Sequence, residues 1–175
     1  MSERALLPGE YMVLALLALR NMHGYDMMAF VADEGLMAVC PIEQSTLYTY
    51  LRNVEARGFV AWTEERVGNR PPRKTYTLTD LGRAAIAEWL RQPVARMREV
   101  RLEFLLKLYF LAEVDPNAHR ELLAQQIVVV EEYLGHLDAQ GAATPFEELV
   151  ARSKRSAAEA TLGWLKQYAY EIESG

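Results

Sequence analysis

The chain has one cysteine, Cys40, and only three histidines in 175 residues. A single thiol excludes an intramolecular disulfide and cannot by itself build a metal site, so a reduced intracellular thiol is expected. His23, His119 and His136 show no HxxxH and no Cys–His pairing, and the chain has no glycine-rich phosphate loop. The carboxylates form no recognisable pair. Catalysis, a metal and a cofactor are therefore not expected. His23, beside Gly24, reads as a turn or inter-helix hydrogen-bonding residue, and His119 and His136 as exposed helix positions.

Long apolar runs are also lacking. The longest, YMVLALLAL from Tyr11 to Leu19, is far short of the roughly 20 residues that span a bilayer. Arg20-Asn21-Met22-His23 follows it, where a secretory signal would carry small residues. The run is expected to form a buried helix, and the protein to be cytoplasmic with no membrane partner.

Positive charge is scarce overall, with a net charge of −5. Its distribution matters more than its sum. Residues 1–99 hold 12 Lys+Arg against 12 Asp+Glu, and residues 100–175 hold 7 against 12. Between Arg66 and Arg83 lie Arg66, Arg70, Arg73, Lys74 and Arg83, with Asp80 as the one acid. A basic patch on a balanced first half, followed by an acidic second half, is compatible with nucleic-acid binding.

Just over half of the sequence is hydrophobic, which is ordinary globular composition. Apolar spacing predicts helices over Glu10–Arg20 and Asp26–Val31, separated by His23-Gly24-Tyr25. A linker between Gly35 and Pro41 carries no clear signal. Leu47, Leu51 and Val54 mark one face of a third helix, Gln44 to Arg57, with Gly58 as its C-terminal glycine. The period then changes. Phe59–Thr63 and Thr75–Leu78 are β-rich, and Glu64 to Lys74 between them contains Gly68, Pro71 and Pro72. This predicts a hairpin with a long stiff tip that holds Asn69, Arg70, Arg73 and Lys74 away from the core. Thr79 or Asp80 caps a further helix whose apolar face is Leu81, Ala85, Ile86, Trp89 and Leu90.

Helix, helix, helix, strand, tip, strand is the order of a winged helix-turn-helix, expected over residues 1–95. The third helix is the element for the major groove. Its polar face offers Gln44, Ser45, Thr46, Tyr48, Thr49 and Arg52, side chains of the types that read base edges or hold phosphates. Residues 96–175 show no strand signal. Helices are expected over Val100–Val114, Ala118–Leu137 and Pro145–Ile172. Leu122, Leu123, Ile127, Val130, Leu134 and Leu137 stripe one, and Leu149, Leu162, Leu165 and Tyr168 stripe another beside Trp164. Three helices make a thin core alone, so this half is expected to pair with a second copy.

HGYDM (23–27), STLYTYLRNVEARGFV (45–60) and GNRPPRKTYTLTDLGR (68–83) resemble, in order and spacing, the signature blocks of the PadR family of transcriptional regulators. The resemblance extends over nearly the whole chain. It implies a homodimeric repressor on palindromic promoter DNA, released by a small aromatic or drug-like effector. It also implies that Thr46-Leu47-Tyr48 opens the recognition helix, that the Tyr48 hydroxyl touches DNA, and that Pro72-Arg73-Lys74 with Tyr76 forms the wing. Ser45 and Thr49 depart from the family's usual Gly and Pro, which points to a different preferred base sequence. Met12, Leu16, Phe104, Leu108, Trp164 and Tyr168 are candidate effector-pocket walls, though aromatic and apolar residues at helical spacing are commonly core. The alternative is a winged-helix protein-interaction adaptor without sequence-specific DNA binding, against which the basic wing and polar helix face speak.

Overall fold

In the computed structural model, the described residues are 4–65 and 72–174. α1 spans Pro8–Leu19. Proline at its first position forfeits no helical bond, because that N–H has no partner within the helix. Met12, Val13, Leu14, Ala15 and Leu16 are fully buried, so the YMVLALLAL run is the central helix of the molecule, as its composition predicts.

A two-residue strand, β1 (Met22–His23), leads directly into α2 (Gly24–Asp33). The helix therefore starts two residues before the expected Asp26: the break at His23 is a strand end and not a loop. One turn of 3-10 helix, Leu36–Ala38, occupies the linker and buries Leu36. α3 spans Gln44–Ala56 and buries Leu47, Leu51 and Val54, the face the spacing predicts. It stops in a Schellman arrangement. Gly58 sits at φ 76°, its N–H donates to the Glu55 carbonyl at 2.9 Å, and Phe59 N–H donates to the Val54 carbonyl at 2.9 Å.

β2 (Val60–Glu65) and β3 (Arg73–Leu78) pair antiparallel, and β1 joins on the other side, giving the order β1-β3-β2. The expected hairpin thus gains a third strand, too short for any alternation to show. α4 (Asp80–Arg91) is capped by Thr79, whose hydroxyl accepts from Gly82 N–H at 3.1 Å and donates to the Gly58 carbonyl at 2.7 Å. A Cβ on Gly82 would lie 2.0 Å from the Phe59 carbonyl oxygen, so only glycine permits this approach of α4 to the sheet. Ile86, Trp89 and Leu90 are buried as expected, but Leu81 is 55% exposed. Gly82 takes the side facing Phe59, which turns its neighbour about 100° away.

The remaining chain is helical. A wide π-turn over Val100–Phe104 runs into α5 (Leu105–Val114), followed by α6 (Pro116–Ala139) and α7 (Pro145–Ser174). Asp115 caps α6 through Ala118 N–H at 3.1 Å. α7 packs along α6, with Lys166–Glu131 at 2.6 Å and an Arg155–Asp138 pair on the rim. His119, expected at an exposed position, is only 6% exposed, because α7 covers that side of α6. Its ring meets Tyr168 edge-on at 5.8 Å, and its Nε2 lies 3.3 Å from the Tyr168 hydroxyl.

α5 packs on α1 and α4 as well as on α6. The junction is aromatic and ionic. Tyr11 stacks on Trp89 at 4.6 Å, and the Lys107 ammonium lies 4.7 Å from the Trp89 ring centre. Lys107 is 2% exposed and pairs with Glu103 at 3.0 Å while donating to the Gln92 carbonyl at 2.8 Å. Burial lowers its pKa, and Glu103 works against that shift. The architecture is mainly α with a small three-stranded sheet: a winged helix-turn-helix followed by α5, α6 and α7.

Candidate nucleic-acid interface

α3 presents Gln44, Ser45, Thr49 and Arg52 to solvent, with Thr46 and Tyr48 half-buried beside them. The polar face forms a chain. Arg52 donates to the Thr49 hydroxyl at 2.9 Å, and Thr49 donates to the Ser45 carbonyl at 2.9 Å. The guanidinium is thereby held along the helix by the residue one turn earlier.

Tyr48 leans away from that face toward the start of α2. A Cβ on Gly24 would fall 2.6 Å from its ring and 3.0 Å from its hydroxyl oxygen, so a side chain there would displace it. His23, the residue before α2, provides no side-chain cap; its Nδ1 lies 3.1 Å from the Lys74 carbonyl and 3.3 Å from the Thr75 hydroxyl, tying α2 to β3. Between α2, α3 and β3 opens a cleft of about 520 Å³, lined by His23, Gly24, Tyr25, Asp26, Tyr48, Arg73, Lys74 and Tyr76. Tyr76 forms its floor at 7% exposure. Burial raises the pKa of the Tyr76 phenol, the Glu55 charge and Tyr48 add to this, and Arg52 opposes it.

The wing differs from expectation. Arg73 and Lys74 are not on the tip: they are the first two residues of β3, opposite Glu65 and Glu64 in register. Asn69 and Arg70 lie outside the described residues. Directly opposed residues share a face of an antiparallel pair, so Lys74 has an acidic register partner in Glu64. The Lys74 ammonium also stands 3.8 Å over the Trp62 ring, and the Trp62 indole N–H donates to Glu55 on α3 at 2.6 Å. The hairpin and α3 are joined through this indole.

Beneath the face, Glu10 of α1 is completely buried. Its carboxylate accepts from Leu7 N–H at 2.8 Å, the Asn53 amide of α3 at 2.9 Å and Arg4 at 3.0 Å. It fixes the inner side of α3. A Cβ on Gly9 would lie 2.3 Å from the Tyr50 ring, so the helices meet there as closely as glycine allows.

The six effector-wall candidates fall in different surroundings. Met12, Leu16 and Phe104 are fully buried and Leu108 is 6% exposed. Trp164, 36% exposed, meets Phe104 at 6.4 Å and lines a cleft of about 340 Å³ with Val100, Leu105 and Thr161. Tyr168 is half-buried against His119.

Sequence reasoning missed Tyr25, Glu55 and Trp62. Trp62 was legible in part: it stands two residues before Glu64, so alternation puts both on one face, with Lys74 opposite. Tyr25 lies in the HGYDM block, but its place at the cleft was not legible, because its neighbours across it are more than 20 residues away.

Two family models match the chain: "Transcriptional regulator PadR-like family" over residues 13–88 and "Virulence activator alpha C-term" over residues 100–173. A curated relative, the negative transcriptional regulator PadR of Bacillus subtilis (strain 168), is 29% identical over 147 residues, covering 83% of this chain and 76% of the relative. The crystal structure of Bacillus subtilis PadR in complex with operator DNA matches with a TM-score of 0.50 and 23% identity, over 97% of this chain and 99% of that one. That similarity shows a shared fold.

Proposed function

The chain belongs to the PadR-like family of transcriptional regulators and is not an enzyme, and on that premise we propose that it is a cytoplasmic repressor acting as a homodimer on a palindromic promoter site. The observation that carries this is the joining of the exposed α3 face to the strand bearing Arg73 and Lys74 through Trp62. In this reading Gln44, Ser45, Thr46, Tyr48, Thr49 and Arg52 meet the duplex from the helix, and Asn69, Arg70, Arg73 and Lys74 meet it from the wing. The relative's description as a negative regulator, and the operator complex of the fold's relative, support repression and DNA as the partner.

We divide the chain into a DNA-binding domain, residues 1–95, and a dimerisation domain, residues 96–175. Exposed apolar side chains on α7 support pairing: Phe146 at 71%, Leu149 at 53% and Tyr170 at 72%. Two-fold pairing would set two recognition helices about 34–36 Å apart, one turn of B-DNA. A small aromatic or drug-like effector that prefers the unbound geometry would release the DNA. Met12, Leu16, Phe104 and Leu108 are packed, so an effector among them must open that packing, whereas the cleft beside Trp164 is already present.

The test is a gel shift with fragments of the gene's own upstream region, repeated with phenolic compounds, alongside light scattering at micromolar concentration. A salt-sensitive, sequence-selective shift and a dimeric mass are expected. A protein adaptor would give neither selectivity nor salt dependence.

A further inference from the structure

The cleft between α2, α3 and β3 holds more than the recognition helix and wing require. Tyr25 projects beside it at 69% exposure. Across the cleft lie Arg73 and Lys74, and between them the Tyr48 phenol rests against the first residue of α2. Three phenols, with Tyr76 on the floor, and two cations around an open space of about 520 Å³ suit an anion that also presents apolar surface. A deoxyribose-phosphate unit is such an anion: its oxygens accept from phenol O–H and ammonium N–H, and its sugar lies against tyrosine rings. Asp26 also lines the cleft and opposes an anion there, which limits affinity for free phosphate and favours a phosphate delivered by a polymer already held at α3.

Resting on the regulator reading above, we infer that this cleft seats one backbone phosphate of each DNA half-site, with Tyr25 as a neutral hydrogen-bond donor and Lys74 as its cation. Tyr25 thereby sets the register of the recognition helix without reading a base. Two kinds of interaction, one charged and one not, meet on the same phosphate. Their signatures differ. Losing the Lys74 charge changes the salt dependence by about 0.9 in log–log slope per phosphate released. Losing the Tyr25 hydroxyl weakens binding and leaves the slope unchanged.

The experiment uses the full chain and a duplex that the wild-type protein selects from a randomised pool. Each phosphodiester is replaced in turn by an uncharged methylphosphonate, and binding is measured for wild type, Tyr25→Phe, Lys74→Ala and Asp26→Asn. Tyr25→Phe is expected to bind about tenfold more weakly to selected and random duplexes alike, as for one lost hydrogen bond to a charged group. One linkage per half-site should then be less sensitive in Tyr25→Phe than in wild type, the remainder being the Lys74 charge, which is the mark of a coupled pair. Asp26→Asn should tighten binding at low salt. If Tyr25→Phe binds like wild type, or its loss is the same at every linkage, the phosphate seat is overturned while the regulator reading stands. If wild type selects no duplex, both fall. Because Tyr25 is exposed, Tyr25→Phe does not threaten the fold.

Discussion

Lys74 stands with its ammonium 3.8 Å above the centre of the Trp62 ring. An exposed cation–π pair contributes about 0.5–1 kcal/mol, too little to lock the side chain. Lys74 is therefore parked over the indole and available to a phosphate. Lys74→Ala and Arg73→Ala should each weaken binding to all duplexes and flatten the salt slope by roughly 0.9 for every phosphate no longer neutralised. Trp62→Leu should leave the slope intact. Titrations at a series of salt concentrations check this, and an unchanged slope in both cation variants would refute the wing assignment.

Arg52 depends on Thr49, its hydrogen-bond acceptor at 2.9 Å. Thr49→Ala frees the guanidinium, and Arg52→Ala removes it. Both variants should change which duplexes are selected, with about 1–3 kcal/mol of discrimination removed at the position that Arg52 reads. Selection from a randomised pool, compared with wild type, shows whether the preferred bases move.

Glu10 gathers Leu7, Arg4 and Asn53 at the buried root of α3. Glu10→Ala leaves the Leu7 N–H and the Asn53 amide, both in part-buried hydrogen bonds, without this acceptor, at about 0.5–1.5 kcal/mol for each bond lost. A lower melting temperature is expected, with a poorer preference for the selected duplex over random DNA. Glu10→Gln, which keeps an acceptor, should fall between.

Burial holds the His119 pKa below its ordinary 6.5, and neighbouring Arg120 lowers it further. The folded state thus resists protonation that the unfolded chain accepts. Stability from this residue is complete above pH 6.5 and declines as the pH falls through the depressed folded value. Between about pH 7.5 and 5, wild type should lose more melting temperature than His119→Gln. Equal losses would show that His119 does not govern the acid response.

Gly24→Ala places a methyl 2.6 Å from the Tyr48 ring. The ring can swing, so the melting temperature should change little. DNA affinity should drop by roughly fivefold or more, as for a displaced hydrogen bond of about 1 kcal/mol. A variant that binds as wild type would mean that the Tyr48 position is immaterial to DNA.

Periodicity made most of this fold legible. Leu47, Leu51 and Val54 give the inner face of α3, and Gly58 its end. The wing cations were visible as residues but not in place, because the change from tip to strand falls among prolines and charges that carry no alternation. His119 and Tyr25 were beyond reach for a different reason. What buries the one and surrounds the other comes from chain far away, and a local pattern holds no record of distant neighbours. The join between Trp62 and Glu55 is of the same kind: two adjacent elements, each ordinary by itself, meet at an angle set by the Schellman turn.

That turn does more than end a helix. Gly58, Phe59, Thr79 and Gly82 meet at one point, where the end of α3, the start of β2 and the start of α4 are pinned by Thr79 and by the close approach of Gly82 to Phe59. α3 and the hairpin beside it are two jaws of a calliper whose opening is set at that pin. A calliper accepts one gauge. The major groove of B-form DNA, about 12 Å wide, admits a helix such as α3, whereas the deep, narrow major groove of A-form RNA does not. Discrimination between the two nucleic acids would then rest on the fixed opening of the fold, before any base or 2′-hydroxyl is touched.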